Sequence, residues 1–525
     1  MPKSLRGGGG SVLGGAMIQL LRWKMEPEVF ASALDAWRAR WRRQEGAARP
    51  GLGRRRATEL ARRRIKWFRS VNHLESIPRS HVALESGAGW LEPDQEDVRI
   101  VVLPDPADAA GALEVGTELA GRRGPSARKR IRRLIHQVEL ERDGRRIELL
   151  ASRRRRRRGV PALGEDRSDG VGRMRALYLE SLGAAIIPRL EEDEVSLLED
   201  AGAIVLENKT VALVDTPKGE EVTPDEMPWH LKSVSIEAAR EKGLTGKGVT
   251  IGILDSGIDP SHPEFKGKTI QFQAFKVTGE VRPLKRPKDY STHGTHVAAI
   301  AAGRTVGIAP DANLVVAAVL NRRDDGRVVG SLAQILAGLN WLARGGGELA
   351  SGVDVVNVSL GGPLADLGYY QTISGYRLRG STLVAAIGND GTKGMGHHQV
   401  PGKFDCVIAV GAVDAASQVA GFSDWGECFS HPVTTSTFKP DIMAPGVAVI
   451  SAVPGGKYEA KDGTSMACPV VAGAAALLIQ SNPSLRGNPD ELSRQLLGLT
   501  KPLPAQASGY DARRGGSGQL DLASI

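Results

Sequence analysis

The sequence predicts an α/β fold built on a parallel β-sheet with helices on both faces. Short runs rich in Val, Ile and Ala recur, and each ends in Gly, Asp, Asn or Ser: GVTIGILDSGID, ANLVVAAVL, VDVVNVSLGG, STLVAAIGNDG and CVIAVGAVD. Helical stretches such as SLAQILAGLNWLA separate several of them. Continuous apolar strands alternating with helices are typical of a parallel sheet covered on both faces. Functional groups gather just beyond the carboxyl ends of such strands, so the polar residues there are the candidates.

Residues 1–165 form a basic region that differs from the rest of the chain. Residues 1–160 hold 35 Lys and Arg against 19 Asp and Glu, whereas the other 365 residues hold 34 against 41. Phe30, Leu34, Trp37 and Trp41 form an apolar stripe at helical spacing. The six arginines Arg153 to Arg158 are typical of a solvated linker. We predict a partly helical, partly disordered region, and weak contact of residues 1–160 with nucleic acid or an anionic surface stays open.

Residues 172–216 predict a small α+β unit. RALYLESLGAAIIPRL is strand-like around a glycine, EEDEVSLLEDAG is an acidic amphipathic helix, and AIVLENKTVALVD is a strand-like pair. A unit of this size is marginally stable alone, so we expect it to need a partner surface. Residues 217–227, rich in Pro, Glu and Thr, predict an exposed linker before a domain at 228–525.

The stretch GTSMACP, residues 463–469, places Ser465 at or near the start of an Ala-rich apolar helix. Pro469 fits in or close to the first turn, where a missing N–H does least harm. Unpaired N–H groups and the positive end of the helix dipole would suit an oxyanion there. Gly-Thr-Ser is equally ordinary turn chemistry. A serine hydroxyl is a poor nucleophile without a base, so the hypothesis requires a histidine and a group to orient it.

The strand ends supply those partners. Asp255 follows one apolar run and Asn389 another, and STHGTHVAAIAAG places His293 and His296 at a helix start. An aspartate, a histidine, an amide and a serine are what an acyl-transfer site needs. Asp255 could instead cap a turn, and the two histidines could bind a metal. Zinc on a helix prefers histidines at i and i+4, however, whereas this pair is at i and i+3.

Seven ordered blocks between about Pro228 and Leu499 resemble the subtilisin-type serine proteases, the subtilases of peptidase family S8. They are GLTGKGVTIGILDSGIDPSHPEF, STHGTHVAAIAAG, VVNVSLGG, VAAIGNDGT, PGKFDCVIAVGAVD, KPDIMAPGV and DGTSMACPVVAGAAALL. The resemblance implies a subtilisin-like α/β domain and a serine endopeptidase. Residues 172–216 also resemble the inhibitory propeptide of the family, which implies a self-processing zymogen cut between Val214 and Met227. Protein or peptide substrates, and the chain's own propeptide as an intramolecular inhibitor, are the implied partners.

The resemblance also implies a role for each site residue. Ser465 attacks the peptide carbonyl, His293 transfers the proton to the leaving amine, and Asp255 orients the imidazole. The amide of Asn389 and the N–H of Ser465 hold the oxyanion. The substrate-binding residues implied are Ser359, Leu360, Gly361, Gly362 and Gly388, with Gly330 on a facing strand.

We expect no metal site and no required cofactor. Many family members insert a calcium-binding loop after the histidine helix. Here AAGRTVGIAP continues from the helix without such an insertion, so we expect the high-affinity calcium site to be absent. Calcium then stays open only as a structural ion. Cys406, Cys428 and Cys468 lack CxxC spacing and are expected in or near the core. His397 and His398 are expected in an exposed loop.

No run approaches 18 apolar residues, so no transmembrane segment is expected. The first 25 residues lack a convincing signal-peptide pattern, which favours a cytoplasmic over a secreted location.

Two other functions stay compatible with the sequence. One is a non-enzymatic interaction or nucleic-acid-binding protein that uses the protease fold as a scaffold. The other is an intracellular processing protease located by its arginine-rich region.

Overall fold

A computed structural model gives the fold of the chain. It describes residues 98–102, 176–213 and 220–525, apart from gaps at 180, 189, 191, 201–202, 225–226, 324–325, 348–351, 363–366, 378, 431–436 and 508. The predicted helix around Phe30 and the arginine run Arg153 to Arg158 lie outside the described residues.

The strands and helices follow one another along the chain, with most strands short. The strands are β1 (Val98–Val102), β2 (Leu177–Leu179), β3 (Ala184–Pro188), β4 (Ile204–Glu207), β5 (Thr210–Ala212), β6 (Glu220–Glu221), β7 (Thr250–Asp255), β8 (Ile270–Phe275), β9 (Val281–Arg282), β10 (Asn313–Ala318), β11 (Asn321–Arg322), β12 (Val328–Ser331), β13 (Val355–Val358), β14 (Thr382–Ala386), β15 (Ile408–Val413), β16 (Gly426–Glu427), β17 (Phe438–Lys439), β18 (Ile442–Pro445), β19 (Val449–Val453), β20 (Lys457–Lys461), β21 (Thr500–Lys501) and β22 (Gln519–Leu520). The helices are α1 (Glu192–Asp200), α2 (Trp229–Ser233), α3 (Ile236–Glu241), α4 (His293–Ala302), α5 (Leu332–Leu342), α6 (Leu367–Arg377), α7 (Thr464–Ser481) and α8 (Pro489–Gly498).

A ten-stranded sheet forms the centre of the part of the chain that the structure describes. Its order is β21-β22-β18-β15-β14-β13-β7-β10-β8-β9, and the strands from β18 to β8 pair in parallel. Helices α4 and α7 pack on one face of the sheet, in one buried apolar cluster. Helices α5 and α6 pack on the other face, in a second cluster. The five apolar runs all form strands of this sheet, so the predicted α/β fold is confirmed.

Helix α7 is the central core helix. Its residues from Thr464 to Ile479 are buried. By length and composition it would be apolar enough to cross a membrane, but 89% of it is buried inside the fold, as expected of a core helix in a globular domain. The three cysteines are also buried and free, as predicted.

The N-terminal unit contains a strand that the sequence prediction did not include. Its sheet has the order β2-β3-β1-β4, and β1 lies within the predicted basic region. Ile100 of β1 pairs antiparallel with Ile186 on one side and Leu206 on the other. The unit therefore extends beyond 172–216, because β1 pairs with two strands that lie more than 80 residues further along the chain. Strands β4 and β5 do not pair with each other, and β5 joins β12 instead.

Part of the predicted linker 217–227 is held on the domain rather than being free chain. Strand β6 pairs antiparallel with β20. The N–H of Val222 donates to the carbonyl oxygen of Tyr458 at 3.0 Å, and Nζ of Lys457 lies 2.7 Å from a carboxylate oxygen of Glu221.

Candidate active site

Two glycines allow the end of β7 and the start of α4 to approach closely. Gly257 has a φ of 124°, in the region that favours glycine. A Cβ added at Gly294, the second residue of α4, would lie 2.2 Å from the carbonyl oxygen of Gly257. This contact of backbone on backbone brings Asp255, at the end of β7, beside His293, at the start of α4.

Asp255 and His293 form a buried pair. Nδ1 of His293 lies 2.8 Å from Oδ1 and 3.0 Å from Oδ2 of Asp255, and both side chains are almost fully buried. The N–H of Ser256 donates to the same Oδ1 at 2.7 Å. Nε2 of His293 is buried and has no hydrogen-bond partner among the described residues. The imidazole is therefore held at one nitrogen and free at the other.

A second carboxylate, Asp289, fixes the first turn of α4. It accepts hydrogen bonds from the N–H and Oγ1 of Thr295 at 2.8 and 2.6 Å, and from Oγ of Ser256 at 2.7 Å. Oγ of Ser256 in turn accepts from the N–H of Gly294 at 3.0 Å. Removal of the carboxyl from water raises the pKa of Asp289, and these hydrogen bonds oppose that shift. Asp289 thus braces both elements that carry the Asp255–His293 pair.

Ser465 is the second residue of α7 and is fully buried. Its Oγ donates to the carbonyl oxygen of Ser359 at 3.2 Å rather than to His293. Pro469 lies inside the helix, close to its first turn. Proline at this position leaves one carbonyl of the helix without its usual donor. Pro469 has no N–H to donate to the carbonyl of Ser465 four residues earlier, and Oγ of Ser359 donates to that carbonyl instead, at 3.0 Å.

Asn389 follows β14 and is oriented by Thr464. Its Oδ1 accepts from both the N–H and Oγ1 of Thr464 at 2.9 Å. Oγ1 of Thr464 also accepts from the N–H of Gly388 at 3.2 Å. The two bonds from Thr464 occupy Oδ1, and we find no hydrogen bond from the Nδ2 group of Asn389 to another described residue.

Strand β5 of the N-terminal unit lies between two strands of the domain. On one side Ala212 pairs antiparallel with Val329 and Val211 with Gly330, as expected for a facing strand. On the other side Ala212 forms an antiparallel bridge with Gly361. Ser359, Leu360, Gly361 and Gly362 continue from β13, and Gly388 follows β14, so the predicted substrate-binding residues lie together at the sheet edge that holds Ser465.

Two histidines do not join the site. His296 is fully buried with Nε2 3.0 Å from the carbonyl oxygen of Glu459, and burial lowers its pKa well below the ordinary value. His397 is exposed as expected, but His398 is 2% exposed, so that part of the prediction was wrong. Nε2 of His398 lies 2.8 Å from the carbonyl oxygen of Glu427, and burial lowers its pKa to about 3.

The carboxylate of Glu264 holds the loop after α4 through protein donors. Groups of three or more Asp, Glu, His or Cys that could hold a metal are not found among the described residues. Glu264, the acidic residue nearest this loop, is 1% exposed, and its carboxylate accepts the N–H groups of Thr305 at 2.7 Å and Val306 at 3.3 Å. It also accepts the hydroxyls of Thr305 and Tyr458, the latter at 2.8 Å. Protein donors thus surround the carboxylate.

Sequence reasoning missed Thr464, Asp289 and Glu264. Thr464 stands inside the quoted GTS motif, and Glu264 inside the HPEF end of the first matching block. Asp289 lies four residues before His293, in a polar loop. A carboxylate next to a helix start is a signal for capping that the sequence did offer.

Comparisons with known proteins agree on one family. Residues 246–517, just over half of the chain, match the model of the subtilase family. Subtilisin of Bacillus pumilus is 35% identical over 267 residues, which are 49% of this chain and 86% of that protein. The alkaline protease of Alkalihalobacillus alcalophilus is 34% identical over 320 residues, 57% of this chain and 76% of that protein. Subtilisin E of Bacillus subtilis (strain 168) is 35% identical over 267 residues, and the chain spans 62% of its length.

Proposed function

This chain belongs to the subtilase family, and from that premise we propose that it is a serine endopeptidase made as a zymogen that cuts its own chain. The observation that carries the proposal is the buried Asp255–His293 pair, whose Nε2 has no partner among the described residues and whose helix α4 packs against α7, the helix that carries Ser465. Substrates are proteins or peptides, and catalysis in this family needs no cofactor.

In the proposed mechanism, rotation about χ1 moves Oγ of Ser465 from the carbonyl of Ser359 to Nε2 of His293. Nε2 takes the proton as Oγ attacks the substrate carbonyl, and Asp255 stabilises the imidazolium that forms. The proton then passes to the leaving amine, and water hydrolyses the acyl-enzyme by the same steps in reverse.

The negative oxygen of the tetrahedral intermediate is held by Nδ2 of Asn389 and the N–H of Ser465. The proposal is supported by the hydrogen bonds from Thr464, which fix Oδ1 of Asn389 and leave Nδ2 to donate. A donor held in place before the reaction costs no reorganisation when the charge develops.

The register of β5 supports self-processing at one bond. Ala212 lies opposite Gly361 in an antiparallel bridge, and in such a register the residue two positions later in a bound chain would be the one opposite Ser359. Ser359 is the residue that contacts Ser465. The Val214 carbonyl is therefore the one we propose Ser465 attacks, and the bond cut is Val214–Asp215, at the start of the predicted window.

Labelling with a fluorophosphonate and N-terminal mass analysis test both parts. We expect the wild type to label and to yield a fragment that begins at Asp215, and Ser465→Ala to do neither. Ser481→Ala, at the exposed end of the same helix, is the matched control and should behave as wild type. An intact, unlabelled wild type would favour the non-enzymatic scaffold instead.

A further inference from the structure

Tyr290 holds two cations close to the end of β7. It lies three residues before His293, it is buried, and its N–H donates to the carbonyl oxygen of Ser256 at 2.9 Å. The guanidinium carbon of Arg282 lies 5.6 Å from the centre of its ring, and Nζ of Lys288 lies 5.1 Å from that centre. Cations within about 6 Å of the centre of an aromatic ring are attracted to its face. The ring therefore keeps both charges near the site.

Three more cations lie on the two segments that meet at Tyr290. Arg322, at the end of β11, donates from Nε to the carbonyl oxygen of Tyr290 at 3.1 Å. Lys285 and Arg286 belong to the loop after β9, and both are exposed. We call these five cations the basic rim: Arg282, Lys285, Arg286, Lys288 and Arg322. The rim is a local exception, because the chain after residue 160 holds 34 Lys and Arg against 41 Asp and Glu.

The basic rim has no counter-charge within the part of the chain that the structure describes. Its cations pair with no described carboxylate, whereas exposed cations elsewhere do so at 3.0 Å or less: Lys276–Glu280, Lys393–Asp390, Lys457–Glu221, Arg486–Asp354 and Arg513–Asp511. Asp289, the one acidic residue from 282 to 290, accepts hydrogen bonds from Ser256 and Thr295 instead. Nε of Arg282 is buried and has no hydrogen-bond partner among the described residues. The rim therefore carries positive charge that a bound anion would neutralise.

The basic rim lies next to the cleft that β5 occupies. Strand β11, which ends at Arg322, pairs with β12, and β12 pairs with β5. Neighbouring strands lie about 4.8 Å apart, so the backbone of β11 runs about 10 Å from the chain in the cleft. Charges act on each other over about 10 Å at 0.1 M salt. A carboxylate on a chain bound in place of β5 would therefore be attracted by the rim.

We propose that the basic rim binds acidic side chains of the substrate on the amino-terminal side of the bond cut, so that the enzyme prefers acidic protein segments. The inference rests on the proposed endopeptidase function and names its substrate class. Positive charge beside a cleft raises the rate at which acidic chains arrive, by about 10- to 10³-fold in favourable cases. A peptide fits this place better than a nucleic acid does, because the cleft beside the rim already holds one extended strand between β12 and Gly361.

Peptide substrates that differ only in charge test the inference. Three peptides share one cleaved bond and carry Glu, Gln or Lys at the two positions before the attacked residue. Each is measured on the processed wild type and on the double variant Lys285→Glu with Arg286→Glu, whose two side chains are exposed. The control is Lys247→Glu with Lys266→Glu, which makes the same change in net charge at exposed positions outside the rim.

We expect the wild type to cleave the Glu peptide at least about fivefold faster, in kcat/KM, than the Gln peptide, and the Lys peptide more slowly than either. The rim variant should lower kcat/KM for the Glu peptide about tenfold or more and change the Gln peptide less than about threefold. The control variant should keep the preference of the wild type. Raising salt from about 50 mM to about 500 mM should shrink that preference, because the attraction is screened.

The outcomes separate this inference from the proposed function. Fluorophosphonate labelling of every variant reports on Ser465 and not on the rim. A labelled wild type that cleaves the Glu and Gln peptides equally overturns the inference and leaves the endopeptidase proposal standing, as does a rim variant with an unchanged Glu to Gln ratio. Equal rates for these peptides together with inhibition by a short DNA duplex would assign the rim to nucleic acid instead. A wild type that neither labels nor cleaves removes both proposals.

Discussion

The buried carboxylate of Glu264 should be a major source of stability for the loop after α4. We expect Glu264→Ala to destabilise the protein strongly, because Thr305 and Val306 would lose the acceptor of their backbone N–H groups. Val306 is fully buried, so its N–H cannot turn to water without movement of the loop. The hydroxyl of Tyr458 would lose the same partner.

The magnitude follows from the contacts. One buried N–H left unsatisfied costs roughly 1–3 kcal/mol, and each hydrogen bond to a charged group contributes roughly 1.5–3 kcal/mol. Water can replace part of the half-buried contacts of Thr305 and Tyr458. We therefore expect a loss of about 3 kcal/mol, or about 6 °C in Tm at about 2 °C per kcal/mol for a domain of this size.

Thermal and urea unfolding measure this loss, and a Ser465→Ala background prevents self-digestion. Glu264→Gln keeps one acceptor oxygen and should lose about half as much. Glu280→Gln is the control, because the Lys276–Glu280 pair is exposed, at 47% and 61%, and should contribute less than about 1 kcal/mol.

Two results would refute the reasoning. One is a Glu264→Ala variant less than about 1 kcal/mol below the parent. The other is a parent protein whose free energy of unfolding falls by the same amount when EDTA is added. The carboxylate would then be acting through a bound cation rather than through protein donors.

Three further predictions concern the site and its surroundings. Asn389→Ala should lower kcat about 10²–10³-fold, the range known for the corresponding amide of subtilisin; an unchanged kcat in steady-state kinetics would contradict the oxyanion role. Gly294→Ala puts a Cβ 2.2 Å from the Gly257 carbonyl, so we expect kcat/KM to fall at least about tenfold with an unaltered circular dichroism spectrum, and full activity would count against the close-approach account. Burial raises the pKa of Asp424 from 3.8 to about 7. The folded protein thus binds this proton more tightly than the unfolded chain, and stability falls by up to about 4 kcal/mol as pH rises from about 4 to 7. Urea midpoints should show that slope flattened in Asp424→Asn, and equal slopes would refute it.

The sequence was sufficient for the features that depend on local pattern. The apolar runs predicted the strands of the central sheet, and the Ala-rich segment predicted α7. Each candidate residue stands at a strand end or a helix start, so the rule that functional groups gather at one sheet edge made Asp255, His293, Asn389 and Ser465 the candidates.

The sequence was insufficient where a contact joins distant residues. Periodicity records which face of an element is buried but not which group it meets there. The strand at 98–102 was missed because its partners lie more than 80 residues further along the chain. The burial of His398 was missed because it depends on strand β16, which a loop composition does not indicate.

The sequence by itself determined the fold class and the family, and it singled out the residues that we propose carry the chemistry, because each stands in a short segment. Only the tertiary structure decided how those residues are held. The missing N–H of Pro469 is visible in the sequence, but that Ser359 takes its place at the carbonyl of Ser465 is not. Packing brings groups 106 residues apart to 3.0 Å, and no local pattern encodes which two will meet.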